Sequence, residues 1–135
     1  MRKLIFDLDR TLWRYTVEYH PRIIIPPIGA ETRQVLSHLQ KKGHSLNIAS
    51  RSNEPEKCNY FLDTFFPDIK FDTRAIYYTP KTKLEHIWEI SQDNENFIMF
   101  DDEIEILKPI SILFPDCNTV LCKKPIDWDI IDKIS

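Results

Sequence analysis

The chain has 135 residues and 16.1 kDa, 42% of them hydrophobic, which is enough to bury the core of one ordinary domain and leaves no length for a second. A net charge of −3 with both signs interspersed, and only Lys41-Lys42 and Lys123-Lys124 as basic doublets past the start, excludes the electrostatic footprint of a nucleic-acid binder. No apolar run approaches the width of a bilayer and the start lacks a signal peptide's apolar stretch, so a cytoplasmic protein without membrane contact is expected.

The first apolar run predicts a strand over residues 3 to 8. The stretch from Arg10 to Gly29, with Pro21, Pro26 and Pro27, fits neither helical nor strand period and reads as a short flap, too small for a cap domain. Val35, Leu36 and Leu39 then fall on one face of a helix that stops at Gly43. A strand over residues 45 to 49 precedes a second helix, capped by Asn53 and burying Phe61, Leu62 and Phe65. A strand over about 70 to 77 leads to a third helix carrying Leu84, Ile87 and Trp88. Strands over 97 to 100 and 118 to 122 flank a short fourth helix ending near Pro109, and Asp127 caps a last helix with Ile131 and Ile134. Repeated βα units of this kind imply an α/β, three-layer Rossmann-like fold, a parallel five-stranded sheet with helices on both faces.

Cys58, Cys117 and Cys122 are odd in number and lack C-x-x-C spacing, so they are expected as reduced packing residues. His20, His38, His44 and His86 show no ligand spacing, and two glycines, Gly29 and Gly43, cannot build a Gly-rich nucleotide loop.

The chemistry concentrates where apolar runs end. Leu4-Ile5-Phe6 hands over to Asp7-Leu8-Asp9-Arg10-Thr11, and the two-residue spacing puts both carboxylates on one face of a strand. Two carboxylates so close resist joint ionisation unless a cation lies between them or one keeps its proton, which suits metal binding, nucleophile-plus-acid chemistry, or both. Leu46-Asn47-Ile48-Ala49 hands over to Ser50-Arg51-Ser52, Tyr78-Thr79-Pro80 to Lys81, and Phe97-Ile98-Met99-Phe100 to Asp101-Asp102-Glu103. Ligands of open α/β sheets bind outside the carboxyl ends of the strands, so these groups should converge on one crevice. A nucleophile, an acid, cations for the equatorial oxygens and hard oxygen ligands for Mg²⁺ are what phosphoryl transfer requires. Lys81, at the helix threshold after Pro80, is preferred as the phosphate-binding cation over Lys83, which is expected to lie inside the helix and turn to solvent.

Together D-L-D-x-T-L-W, A-S-R-S-x-E, the downstream lysine and F-D-D-E resemble the haloacid dehalogenase superfamily over residues 3 to about 122, and are most similar to its capless magnesium-dependent phosphatases. That resemblance implies an aspartyl-phosphate on Asp7, acid-base work by Asp9, phosphoryl binding by Ser50, Arg51 and Lys81, and a Mg²⁺ site drawn from Asp7, Asp9, Asp101 and Asp102. It also implies a phosphate-ester substrate, phosphotyrosine-type, protein-borne or sugar phosphate, acted on by a monomer or weak dimer. Where the superfamily usually carries arginine and asparagine after the acidic pair, this chain has Glu105 and Ile106. The alternatives are a phospho-acceptor receiver module, which places its acidic pair before its acceptor and so reverses the order found here, and a catalytically silent binding domain of the same fold.

Overall fold

Four-residue to six-residue runs rich in Ile, Leu, Phe and Val that are apolar on both faces can be satisfied only in the middle of a sandwich of helices. The computed structural model, which describes residues 2–14, 28–80, 82–91 and 96–134, has that arrangement. The elements follow the order β1 (Lys3–Phe6), α1 (Ala30–Lys41), β2 (Ser45–Ser50), α2 (Pro55–Phe65), β3 (Thr73–Ile76), α3 (Leu84–Ile90), β4 (Phe97–Asp101), α4 (Ile104–Leu113) and β5 (Asn118–Leu121), then a 3₁₀ helix over Trp128–Lys133. All strand pairs are parallel and the sheet order is β3-β2-β1-β4-β5. The chain winds outward from β1 in both directions, so the point where the order reverses lies at β1 and β4, where such sheets open a ligand crevice.

Strand periodicity divides the core. Leu4, Phe6, Leu46, Ile48, Ile98 and Phe100 face α1, α2 and the 3₁₀ helix, while Ile5, Ala49, Phe97 and Met99 face α3 and α4. On the first side Phe6 stacks on Phe100 with ring centroids 4.9 Å apart. The loop between β5 and the 3₁₀ helix is tied to two places: Ile126 N–H donates to the Thr11 carbonyl at 2.7 Å, and Thr32 Oγ1 donates to the Ile126 carbonyl at 2.6 Å.

Several expectations shift by local chemistry. Helix α2 is capped at Glu54, not Asn53, because Pro55 takes the first helical position and Ser52 Oγ accepts from the Glu54 N–H at 3.0 Å. Helix α4 passes through Pro109 to Leu113, since the apolar face of Ile106, Leu107 and Ile110 is buried across it and outweighs the lost hydrogen bond. Helix α3, which carries the expected Leu84, Ile87 and Trp88, buries His86, Ile87 and Ile90 and leaves Trp88 half exposed. Asp127 does cap the last helix, accepting from Asp129 N–H, and that helix is 3₁₀. Of the expected flap, residues 15–27 lie outside the described residues. The cysteines are free, with Cys58 and Cys122 buried. No described helix is long and apolar enough to cross a membrane.

Candidate active site

The site follows from register. Phe6 pairs with Ile48 on one side and Phe100 on the other, so one residue further along, Asp7, Ala49 and Asp101 form a row across three adjacent strands. Ile5, Ala49 and Met99 contribute to the α3 and α4 side of the sheet, and by the alternation of strand side chains Asp7 and Asp101 share it. Asp7 is still within the ladder, its N–H donating to the Phe100 carbonyl at 2.9 Å. Into this row comes Lys83, the residue that caps α3: its Nζ donates to Asp7 Oδ1 at 2.6 Å, Asp101 Oδ2 at 2.7 Å and the Ala49 carbonyl at 2.9 Å.

The expectation that Lys83 turns to solvent is therefore overturned: it is 3% exposed. The physical reason is periodicity. Lys83, Ile87 and Ile90 recur at the i, i+4, i+7 spacing of one helix face, and Ile87 and Ile90 are buried, so the same stripe carries Lys83 onto the sheet. Lys81 lies outside the described residues. Burial disfavours the Lys83 ammonium, but Asp7 and Asp101 outweigh that cost and hold its pKa above the ordinary value.

Asp102 completes an acidic cluster: Asp7, Asp101 and Asp102 each offer a carboxylate oxygen within 4.8 Å of the others. Burial, then a hydrogen bond with Asp7, then the charges of Asp7 and Asp101 push the Asp102 carboxyl up to about 8, and burial and Asp7 raise Asp101 as well. Three carboxyl groups crowded around one buried lysine resist joint ionisation, so that Asp102 keeps its proton at neutral pH when no cation is bound. Hard oxygen donors in that state fit Mg²⁺, which would relieve the repulsion. Asp9 stands outside this cluster; its Oδ1 accepts from the Trp13 indole at 2.8 Å.

The loop after β1 explains how two such groups are held. Leu8 carbonyl accepts from Thr11, Leu12 and Trp13 N–H at 3.1, 2.9 and 3.4 Å, winding the backbone through roughly one turn. Arg10 enables that winding with φ of 62°, a left-handed conformation that costs a non-glycine residue about 1 kcal/mol or more. Its guanidinium reaches Asp102 at 3.6 Å across the mouth of the pocket. Ser50, buried, and Arg51, half-buried, extend from β2. Arg51 Nη1 donates to the Thr79 carbonyl at 3.2 Å, pinning the segment that leads to Lys83. Asp7, Asp9, Arg10, Ser50, Arg51, Lys83, Asp101, Asp102, Glu103 and Ile106 line one pocket of about 270 Å³. Ile106 is buried against it while Glu105 is exposed, so the departure from the superfamily's arginine and asparagine leaves an apolar wall beside the acidic pair.

No family model matches the chain. It is 31% identical to magnesium-dependent phosphatase 1 of Homo sapiens, with 84% of this chain and 74% of that protein covered. Its fold is similar to that of a chain in the structure of the Pnkp1/Rnl/Hen1 RNA repair complex, with a TM-score of 0.64 at 15% identity, covering 94% of this chain and 43% of that one. The second likeness speaks for the fold alone; the first, together with the acidic pocket at the ends of β1 and β4, places the chain among the capless magnesium-dependent phosphatases of the haloacid dehalogenase superfamily.

Proposed function

We propose that this phosphatase hydrolyses phosphomonoesters through a covalent aspartyl-phosphate on Asp7. The observation that carries the reading is the Asp7–Lys83–Asp101 row with Asp102 beside it, a carboxylate held by a buried cation at the mouth of a donor set for Mg²⁺. Lys83 orients Asp7 through Oδ1, and Thr11 Oγ1 lies 3.5 Å from Oδ2. With one oxygen occupied by an ammonium, the other is the nucleophile that attacks phosphorus in line with the leaving oxygen.

Ser50 and Arg51, with Lys83, line the side of the pocket where the equatorial phosphoryl oxygens would lie, and we assign them the phosphate-binding role; Lys83 takes the place first given to Lys81. Asp7, Asp101 and Asp102 would hold Mg²⁺, which when bound neutralises phosphoryl charge. Asp9 gives a proton to the departing oxygen, and in the second half-reaction takes one from the water that cleaves the acyl phosphate. A protein-borne phosphoester, phosphotyrosine-type, is our reading of the substrate, because the pocket sits at strand ends without a cap domain over it among the described residues.

The test is acid-quench trapping with ³²P-labelled substrate. Asp7→Asn should show no covalent phosphate, and Asp9→Asn should still label with a good leaving group while turning over slowly. Label retained in Asp7→Asn would refute the nucleophile, and an inert phosphotyrosine peptide beside active sugar phosphates would refute the substrate class.

A further inference from the structure

We propose that Trp13 is a positioning residue for Asp9, fixing Oδ1 as an acceptor so that the transferable proton lies on Oδ2. The inference rests on the reading of Asp9 as the acid-base group. The turn around the Leu8 carbonyl brings residues four apart into register, so Thr11 returns toward Asp7 and Trp13 toward Asp9. The two contacts are unequal. Thr11 reaches Asp7 at 3.5 Å, the edge of hydrogen-bonding range, whereas Trp13 Nε1 meets Asp9 Oδ1 at 2.8 Å, and the same pair forms an isolated backbone bridge.

Trp13 cannot follow Asp9 if the carboxyl moves. It is fully buried and stands edge-on to Phe61, with ring centroids 5.2 Å apart at 71°. An indole N–H only donates, and a carboxylate or carbonyl oxygen accepts better than a hydroxyl, so Oδ1 stays the acceptor in either protonation state. The transferable proton therefore belongs on Oδ2. As the Asp7 oxygen–phosphorus bond forms and the ester phosphorus–oxygen bond breaks, that proton passes to the departing oxygen and the leaving group departs as an alcohol. Without the indole Oδ1 loses this donor and the carboxyl is less firmly oriented, so the proton is presented in the right direction for less of the time.

A tryptophan that merely satisfies its own N–H in the core makes a different forecast, so leaving groups separate the two. Trp13→Phe keeps an aromatic ring against Phe61 and removes the donor. In the Mg²⁺-loaded full chain, kcat/KM should fall about tenfold or more for an alkyl phosphate, whose leaving group needs the proton, and less than about threefold for p-nitrophenyl phosphate, whose leaving group does not. Trp13→His, which restores an N–H donor, should recover part of the alkyl phosphate loss. Equal losses for both substrates would overturn the proposal in favour of packing.

Asp9→Asn measured alongside keeps the two ideas apart. If it steepens the leaving-group dependence while Trp13→Phe does not, Asp9 stands and Trp13 falls; if Asp9→Asn leaves the dependence unchanged, both fall. Should Trp13→Phe not fold, the indole Nε1–H resonance of Trp13 in the otherwise native chain gives the answer: it should move upfield in Asp9→Asn, and an unmoved resonance overturns the proposal.

Discussion

Lys83→Met is the most informative single change, because it removes the charge from the row of strand ends and keeps most of the stem's volume. The ammonium touches Asp7 at 2.6 Å and Asp101 at 2.7 Å, in a place where Lys83 is 3% and Asp101 1% exposed. Deleting one member of a buried ion pair leaves the rest uncompensated and costs about 3–5 kcal/mol. Here two carboxylates are left facing each other, and at neutral pH they relieve part of the repulsion by sharing a proton, so the lower end, about 3 kcal/mol, is expected. The assay is urea denaturation of the metal-free variant beside the parent, followed by the same pair with saturating Mg²⁺. The cation should narrow the gap, since it supplies the positive charge the lysine no longer does. Activity should fall about a hundredfold to a thousandfold in kcat/KM, the loss typical of one oriented electrostatic group in a site of this kind. A metal-free variant within about 0.5 kcal/mol of the parent, the ordinary range of an inconsequential surface change, with activity intact, would refute the reasoning.

Removing Mg²⁺ with EDTA should abolish turnover of p-nitrophenyl phosphate and added Mg²⁺ should restore it; undiminished hydrolysis after exhaustive chelation would sink the metal assignment. His86 is fully buried, with Nε2 3.0 Å from the Tyr77 carbonyl and Nδ1 without a partner among the described residues, and burial lowers its pKa below 6.5. The unfolded chain therefore binds this proton more readily, so stability should be full above pH 6.5 and decline as pH falls below it, with His44 adding in the same sense; His86→Gln should show a shallower decline in acid denaturation, and an identical slope would contradict this. Burial pushes the Cys58 thiol up to about 11 and Cys122 up to about 12, so a thiol reagent at pH 8 should label one site quickly in the native protein, and Cys117→Ser should abolish that fast phase.

The strands and the acidic loop were legible because both rest on strict local rules. Apolar runs of strand length could not be exposed, and their polar ends then had to meet at the carboxyl edge, as Asp7, Ser50 and Asp101 do. The place of Lys83 is set by the helix face and not by the helix threshold: extending the stripe of Ile87 and Ile90 back by one turn places it on the sheet. Trp88 neighbours Ile87 in sequence but lies off that stripe, half exposed, and meets Phe114 with 5.4 Å between ring centroids. Helix α4 outran Pro109 because burial of Ile110 depends on tertiary packing that no window of sequence contains. Trp13 carried a readable signal, four residues after Asp9 as Thr11 is four after Asp7, whose meaning depended on a turn that the left-handed Arg10 made possible.

The double tie at Ile126 gives the chain an order of completion. The turn bearing Asp7 and Asp9 follows directly on β1, yet its Thr11 carbonyl waits for an N–H from residue 126, which is itself braced by Thr32. During synthesis, the turn therefore lacks this strut until residue 126 has emerged. A nascent chain halted before Pro125 is expected to hold the local hydrogen bonds of the turn after β1 without this strut, so that the turn is completed only by the segment that follows β5.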